Sequence, residues 1–203
     1  MAIPVKKNQG INLKKVAPTL KKVRVRLSWN PNPTTGAKFD LDITSFGLAP
    51  DANGASKMVG VDADFMCFYY NLVTIDGACK HSGDNRTGDS APGEDDEHIV
   101  IELDKVDPRV REISIVATID KYERRNQNFG QIPSAKLSIW NDDTDEEIVF
   151  TSLENEFSDD TAVQFGSFFR NEDNGWDFKA VKAGYKLGLE RFVIGYGGEV
   201  AED

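Results

Sequence analysis

The chain has 203 residues, 39% of them hydrophobic, and a formal net charge of −10. At this length one domain can bury about 70% of the surface of its unfolded chain, and no apolar run approaches the roughly 18 residues of a membrane span. Two cysteines are too few for a disulfide scaffold, and the excess of carboxylates repels phosphates, which argues against a nucleic-acid partner. We therefore expect one domain that is not a transmembrane protein and that lies in the cytoplasm.

The charge is unevenly distributed along the chain. Residues 1–39 contain nine Lys or Arg and no acid, whereas residues 40–104 contain fourteen acids and three bases. We expect a single domain over residues 1–203, with a basic N-terminal extension at 1–20 lying against the acidic body and a C-terminal tail at 199–203. So many carboxylates repel one another unless they are spread into water, protonated or neutralised by a bound cation.

The first predicted strands alternate apolar and polar side chains. Residues 22–29 (KVRVRLSW) have the period-2 pattern of a half-buried strand. Residues 39–48 (FDLDITSFGL) begin with the same alternation, so that Phe39, Leu41 and Ile43 share one face and Asp40 and Asp42 share the other. Two carboxylates are therefore predicted to point the same way from one strand.

Short strand candidates continue through the rest of the chain. Asn174-Gly175 lies between two apolar-aromatic runs, which predicts a hairpin, and Leu187, Phe192 and Tyr196 followed by two glycines predict a short C-terminal helix. Many short strands with Gly, Pro and Asn turns favour a β-sandwich or a barrel. The further strand candidates are residues 64–72, 98–103, 112–119, 136–140 and 146–153.

An acidic, loop-like run covers residues 81–98 (HSGDNRTGDSAPGEDDEH), with six acids, three glycines and a single Arg. Alone, this run is compatible with a solvated surface. An EF-hand does not explain the acids of the chain: residues 141–152 place oxygen side chains at loop positions 1, 3 and 5, but Glu146 replaces the loop glycine and Ser152 the final Glu.

Two Asp-x-Asp pairs accompany the acidic run, at Asp40/Asp42 and Asp62/Asp64. In a strand this spacing aims both carboxylates to one side. Either pair alone also fits ordinary polar-out alternation, but both pairs together with Asp84 favour a distributed cation site. Calcium binds six to eight hard oxygens in flexible geometry, whereas magnesium requires stricter octahedral geometry and retains waters, so the expected ion is Ca²⁺.

Two other classes of function stay open. The carboxylates could serve a metal-dependent hydrolase of phosphate or glycosidic bonds, although no nucleophile or phosphate-binding motif accompanies them. Arg124 and Arg125 could instead serve a nucleotide- or anion-binding module, or belong to a solvated connection anchored by Phe129. His81 and His98, which flank the acidic run, are expected to lie on the surface or behind the site.

Several motifs in a fixed order resemble the TerD family of tellurium-resistance and stress proteins. They are FDLD (39–42), DADF (62–65), GDNRTG (83–88), DDE (95–97), QNFGQ (127–131) and the C-terminal GY helix. The resemblance covers nearly the whole chain. It implies a mostly-β fold, a sandwich of two antiparallel sheets with a few short helices including one at the C-terminus. It also implies a non-enzymatic calcium-binding protein of the stress response, with other proteins of a stress-resistance complex, some of them membrane-associated, as partners.

The resemblance also implies a set of calcium ligands. Two departures from the family pattern concern this set: extra residues around DADF, and a longer second half of the acidic run. The implied ligands are Asp40 and Asp42, Asp62 and Asp64, Asp84 and Asn85, and Asp95, Asp96 and Glu97, with Thr87 and Gly88 as possible carbonyl donors.

Overall fold

The computed structural model describes residues 2–18, 20–91 and 94–200. Residues 201–203 of the predicted tail lie outside the described residues. Thirteen strands are present in the described part: β1 Ile3–Pro4, β2 Gly10–Asn12, β3 Lys22–Ser28, β4 Leu41–Pro50, β5 Ser56–Met58, β6 Met66–Cys67, β7 Cys79–His81, β8 Glu97–Glu102, β9 Glu112–Ile119, β10 Lys136–Asn141, β11 Glu146–Ser152, β12 Ala162–Arg170 and β13 Trp176–Tyr185.

The helices are short. They are α1 Leu13–Val16, α2 Tyr122–Arg125, α3 Leu153–Glu156 and α4 Leu189–Gly195, with 3-10 turns at Leu103–Lys105 and Phe129–Gln131. Within the described ranges, no helix is long and apolar enough to cross a membrane. The prediction of a short C-terminal helix is confirmed by α4.

The strands form two sheets, in the orders β1-β11-β10-β3-β8-β7 and β2-β13-β12-β9-β4-β5, with β6 paired to β4. Neighbouring strands run antiparallel, except that β1 runs parallel to β11. The predicted mostly-β sandwich of two antiparallel sheets is confirmed. The predicted extension at residues 1–20 contributes an edge strand to each sheet, β1 to one and β2 to the other.

The facing sides of the two sheets enclose an apolar core. The three apolar residues of β3 are fully buried and alternate with its polar residues, as predicted. Phe129, in the 3-10 turn after α2, is fully buried in the same core. Cys67 and Cys79 are buried and free, so they act as packing residues and not as a disulfide.

A second apolar cluster lies on the outer face of the seven-stranded sheet. Phe46 and Leu48 of β4 pack there against Phe192 and Val193 of α4. The helix is followed by Gly197 at φ +83°, a conformation that glycine adopts without strain. Because α4 covers this face, β4 is buried on both sides, which corrects the half-buried strand predicted from its alternation.

Candidate metal centre

Three carboxylates converge where β4 begins. Asp40 immediately precedes β4, Asp42 is its second residue, and Asp84 lies in the loop after β7. One oxygen of each lies within 4.8 Å of the others. Asp40 and Asp42 are 6% and 5% exposed, whereas Asp84 is open to solvent. The predicted convergence of the first Asp pair with the acidic run is therefore present in the fold.

Asp42 has the most unusual environment of the three. It is nearly buried, and within the described part of the chain no N–H or O–H group donates to its carboxylate. Burial raises its pKa well above the usual 3.8, and the nearby carboxylates of Glu97 and Asp40 raise it further. A buried carboxylate without a donor is costly, and a bound cation would offset that cost.

Asp40 has a counterion supplied by α2. Arg125 lies 3.3 Å from Asp40 and 3.3 Å from Asp120, so one guanidinium serves two carboxylates. Asp120 is placed there by strand pairing, since it follows β9 and its N–H donates to the Asp40 carbonyl at 2.9 Å. Burial nevertheless raises the pKa of Asp40, because Arg125 only partly opposes the desolvation.

The third carboxylate belongs to the predicted GDN motif. Asp84 accepts a 2.8 Å hydrogen bond from the side chain of Arg86, which is mostly exposed. The neighbouring Asn85 does not join the cluster through its amide. Its Oδ1 accepts the N–H groups of Thr87 and Gly88 at 3.0 and 3.1 Å, which closes the loop on itself.

Gly88 has a steric role in the same loop. Its φ is +65°, and a Cβ at this position would lie 2.3 Å from Nε1 of Trp29. The glycine therefore lets the loop turn and pass directly over the indole ring. The Thr87 hydroxyl donates to Asp89 and lies 3.2 Å from Asn85 Oδ1, so the motif GDNRTG forms a hydrogen-bonded turn that presents Asp84.

Glu97, the first residue of β8, connects β8 to β4 and to the loop after β7. It is fully buried, and its two oxygens accept the N–H groups of Ile43 at 2.9 Å and Asn85 at 3.1 Å. Burial raises its pKa, with His81 opposing the shift. His81 Nδ1 accepts the Gly83 N–H at 3.0 Å, so Nε2 carries the proton and faces the Ile43 carbonyl at 3.1 Å. Both ring nitrogens of His81 are thus engaged, which disfavours a role as a general base.

The other two acids of the DDE motif have partners of their own. Asp96 accepts the backbone N–H of Trp29 at 2.8 Å and of Ser90 at 3.1 Å, anchoring the acidic run to the end of β3. Asp95 pairs with Arg26 and His98, and His98 lowers its pKa against the effect of burial, which is the largest single influence. In this arrangement both carboxylates hold the loop and neither joins the three converging oxygens.

Asp62 and Asp64 are not brought to the cluster. They lie on a turn between β5 and β6, with Asp62 at φ +49°, so the predicted strand over residues 64–72 is wrong except at β6. This turn lies beside Gly47, whose N–H bonds the Phe65 carbonyl. Gly47 is five residues along β4 from Asp42, about 17 Å in a strand.

Sequence reasoning missed Asp120 and Tyr69 beside the centre, and it offered Arg125 as an anion contact and not as the counterion of Asp40. Burial, followed by the charge of Asp42, raises the pKa of Tyr69 to about 12. Asp120 directly follows a predicted strand, but only the pairing of β4 with β9 shows that it lies next to Asp40. No local sequence signal encodes that register.

A cleft of about 530 Å³ opens beside the carboxylates. Its lining includes Asp42, Tyr69, Asp120, Tyr122 and Arg124. Within the described residues, no carboxylate lies within salt-bridge distance of the exposed Arg124. The cleft therefore contains an unpaired buried carboxylate and an unpaired cation.

Comparison with known proteins gives a consistent result along the whole chain. A family model described as the TerD domain matches residues 1–196. The tellurium resistance protein TerD of Alcaligenes sp is 41% identical over 97% of this chain and 98% of its own, and that of Serratia marcescens is 40% identical with the same coverage. General stress protein 16U of Bacillus subtilis (strain 168) is 39% identical over 98% of this chain and 100% of its own.

The fold also has a counterpart among solved structures. The crystal structure of a homologue of telluride resistance protein (TerD) from Streptomyces coelicolor A3(2) superposes with a TM-score of 0.71. The match covers 87% of this chain and 98% of that one, at 21% identity. At that identity the comparison supports the sandwich fold alone.

Proposed function

The chain belongs to the TerD family, and from that we propose that it acts in the response to chemical stress, tellurite included, as a non-enzymatic, calcium-dependent binding or scaffold module. The named functions of its relatives, tellurium resistance and general stress response, support the first part. The proposed setting is the cytoplasm, with other proteins of a stress-resistance complex as partners, membrane-associated ones among them.

One observation carries the calcium proposal: the buried carboxylate of Asp42, without a donor, beside Asp40 and Asp84. Hard oxygens of this kind suit Ca²⁺, which needs six to eight of them and tolerates irregular geometry. The residues that would hold the ion are Asp40, Asp42 and Asp84. When bound, calcium would neutralise the mutual repulsion of these groups, and the chain itself would hold Asp84 in place through the GDNRTG turn.

Calcium should stabilise the folded protein. On protein first shown to be ion-free, calcium at a hundredfold excess over Kd should add about 2.7 kcal/mol to the free energy of unfolding, which raises Tm by about 5–10 °C at this size. Asp42→Asn should abolish the rise, because it removes the central ligand. The matched control Asp173→Asn changes the same charge at an exposed turn outside the cluster and should respond like wild type.

Melting curves and calorimetric titration with calcium provide the measurement. An unchanged melt of the ion-free wild type on adding calcium would contradict the proposal. So would a full response in Asp42→Asn, because the ion would then bind elsewhere.

A further inference from the structure

Four exposed apolar side chains lie in one segment that begins beside the cleft. Eight large hydrophobic residues are exposed in the described part of the chain, and four of them fall within residues 70–75. We call these four the apolar strip: Tyr70 at 83% exposure, Ile75 at 68%, Val73 at 49% and Leu72 at 42%. Grouped exposed apolar residues of this kind mark interaction surfaces, whereas single ones need no explanation.

Backbone hydrogen bonds attach the strip to the folded body. The segment that carries it bonds on one side to β7, through the His81 N–H to the Leu72 carbonyl and the Thr74 N–H to the Cys79 carbonyl. On its other side, the Ile75 N–H donates to the Asp64 carbonyl. Both edges of the segment are thus engaged, so the strip offers its side chains to a partner and not a free strand edge.

The strip and the cleft adjoin at a pair of tyrosines. Tyr69 lines the cleft, and its ring centroid lies 4.5 Å from that of Tyr70, the first residue of the strip. On the cleft side of this pair lie the unpaired carboxylate of Asp42 and the unpaired Arg124. A ligand spanning both sides would therefore meet a charged site and an apolar surface next to one another.

We propose that this composite surface docks on the face of an anionic phospholipid bilayer in the presence of calcium. A lipid phosphate would meet the calcium at Asp40, Asp42 and Asp84 together with Arg124, and the apolar strip would enter the boundary between headgroups and acyl chains. This inference rests on the proposed calcium function, because the ion offsets most of the charge of Asp40, Asp42 and Asp84 and offers phosphate oxygens a ligand position.

Charge explains why the docking would depend on calcium. The chain has a net charge of −10, and Asp42, Asp84, Asp120, Glu123 and Glu190 surround or line the cleft. An anionic surface repels such a site. Calcium needs more oxygens than three carboxylates supply one apiece, so phosphate oxygens can complete its coordination. Tyrosine side chains such as Tyr70 are favoured at membrane interfaces, because they combine an apolar ring with a polar tip.

Vesicle sedimentation tests the proposal with the full chain. Calcium-loaded wild type should sediment with vesicles of phosphatidylcholine and phosphatidylglycerol, and should stay in solution with phosphatidylcholine alone or with chelator. Tyr70→Ser/Ile75→Ser should weaken the binding at least about tenfold, since two large apolar side chains no longer leave water. Val16→Ser removes an exposed apolar side chain outside the strip, at 48% exposure, and should bind like wild type.

The outcomes separate this proposal from the calcium proposal. A calcium-dependent rise in Tm without vesicle binding would overturn the lipid proposal alone and leave a protein partner as the occupant of the strip. Binding of soluble glycerol phosphate by calcium-loaded protein that ignores the vesicles would also overturn it. Absence of the rise in Tm would remove the calcium function on which the docking rests. Equal vesicle binding by wild type and Tyr70→Ser/Ile75→Ser would remove the strip from the interface.

Discussion

At the scale of single residues, Asp42 shows how a common pattern acquires a special environment. Its position in β4 predicts an outward-facing, solvated carboxylate. The outer face of β4 is instead covered, and Asp42 is 5% exposed with Glu97, Asp40, Asp120 and Asp84 around it. Folding without an ion therefore carries an electrostatic cost at this residue, which is the physical basis for expecting a cation there.

This cost predicts a pH dependence for the ion-free protein. The pKa of Asp42 is raised above 3.8 in the folded state, so the folded chain binds a proton more tightly than the unfolded chain does. The Asp42 contribution to stability is therefore lost as pH rises from its unfolded pKa through its folded pKa, and is regained on acidification. Calcium binding should weaken as pH falls through the same range, because protons compete for the carboxylate.

Asp42→Asn removes the titrating carboxylate of Asp42 and keeps every other acid. The difference in stability between the variant and wild type therefore reports Asp42 alone and not acids such as Asp95, whose pKa is lowered. Without calcium, the variant should be the more stable protein at neutral pH, and its advantage should shrink toward pH 4. Urea unfolding at a series of pH values provides the measurement. A constant difference between the two proteins across that range would show that Asp42 does not titrate with a raised pKa.

At the scale of elements, α2 controls which cations face the carboxylates. This four-residue helix lies between Lys121 and Asn126, both in the left-handed region at φ +49°. Asn adopts this conformation readily, whereas it costs Lys121 about 1–2 kcal/mol, so the start of α2 is a strained feature. The result is that Arg125 contacts Asp40 and Asp120, whereas Arg124 points to the cleft. The two arginines, which the sequence presents as a pair, have separate roles.

Removal of Arg125 should therefore strengthen calcium binding. Arg125→Ala leaves Asp40 and Asp120 without their shared counterion, which should lower the stability of the ion-free protein by about 1–3 kcal/mol. The more negative site should bind calcium about three- to tenfold more tightly. Lys179→Ala, which removes a positive charge at an exposed position of β13 outside the cleft, is the matched control and should change neither quantity appreciably. Calorimetric titration decides: weaker calcium binding in Arg125→Ala would mean that Arg125 supports the ion site and does not compete with the ion.

At the scale of the whole molecule, residues 3–12 complete both sheets. β1 pairs with β11 and β2 with β13, and Val5 and Ile11 are 3% and 7% exposed. The buried Lys182 donates to the Val5 carbonyl at 2.7 Å. A segment that the sequence presents as a basic extension is thus part of the packing of the sandwich.

Deletion of residues 1–12 should accordingly cost about 3–6 kcal/mol of unfolding free energy, from the loss of two buried aliphatic side chains. Lys6→Ala/Lys7→Ala keeps the strands and removes only exposed charge, so it should stay within about 0.5 kcal/mol of wild type. Chemical denaturation of the three proteins provides the comparison. A deletion variant as stable as wild type would show that the segment is a dispensable extension.

Much of the fold can be predicted from local patterns. The residues of β3 and β9 follow directly from their alternation and β-branched content, and α4 with its glycine stop follows from helical spacing. The prediction of a strand over residues 64–72 was wrong because this aromatic and apolar run has β propensity but no partner strand along most of its length. Only β6 forms there. Propensity is a local property, whereas strand formation needs a neighbour.

The sequence by itself determined the class of fold, the family through its ordered motifs, and the kind of chemistry, an acidic site of hard oxygens. The tertiary structure alone decided which acids meet. It brings Asp84 to Asp40 and Asp42, keeps Asp62 and Asp64 at a distant turn, and assigns Asp96 and Glu97 to hold the loop. The reason is that side-chain spacing along a strand is local, whereas the approach of three carboxylates depends on strand register and on the closing of two sheets, which no single segment encodes.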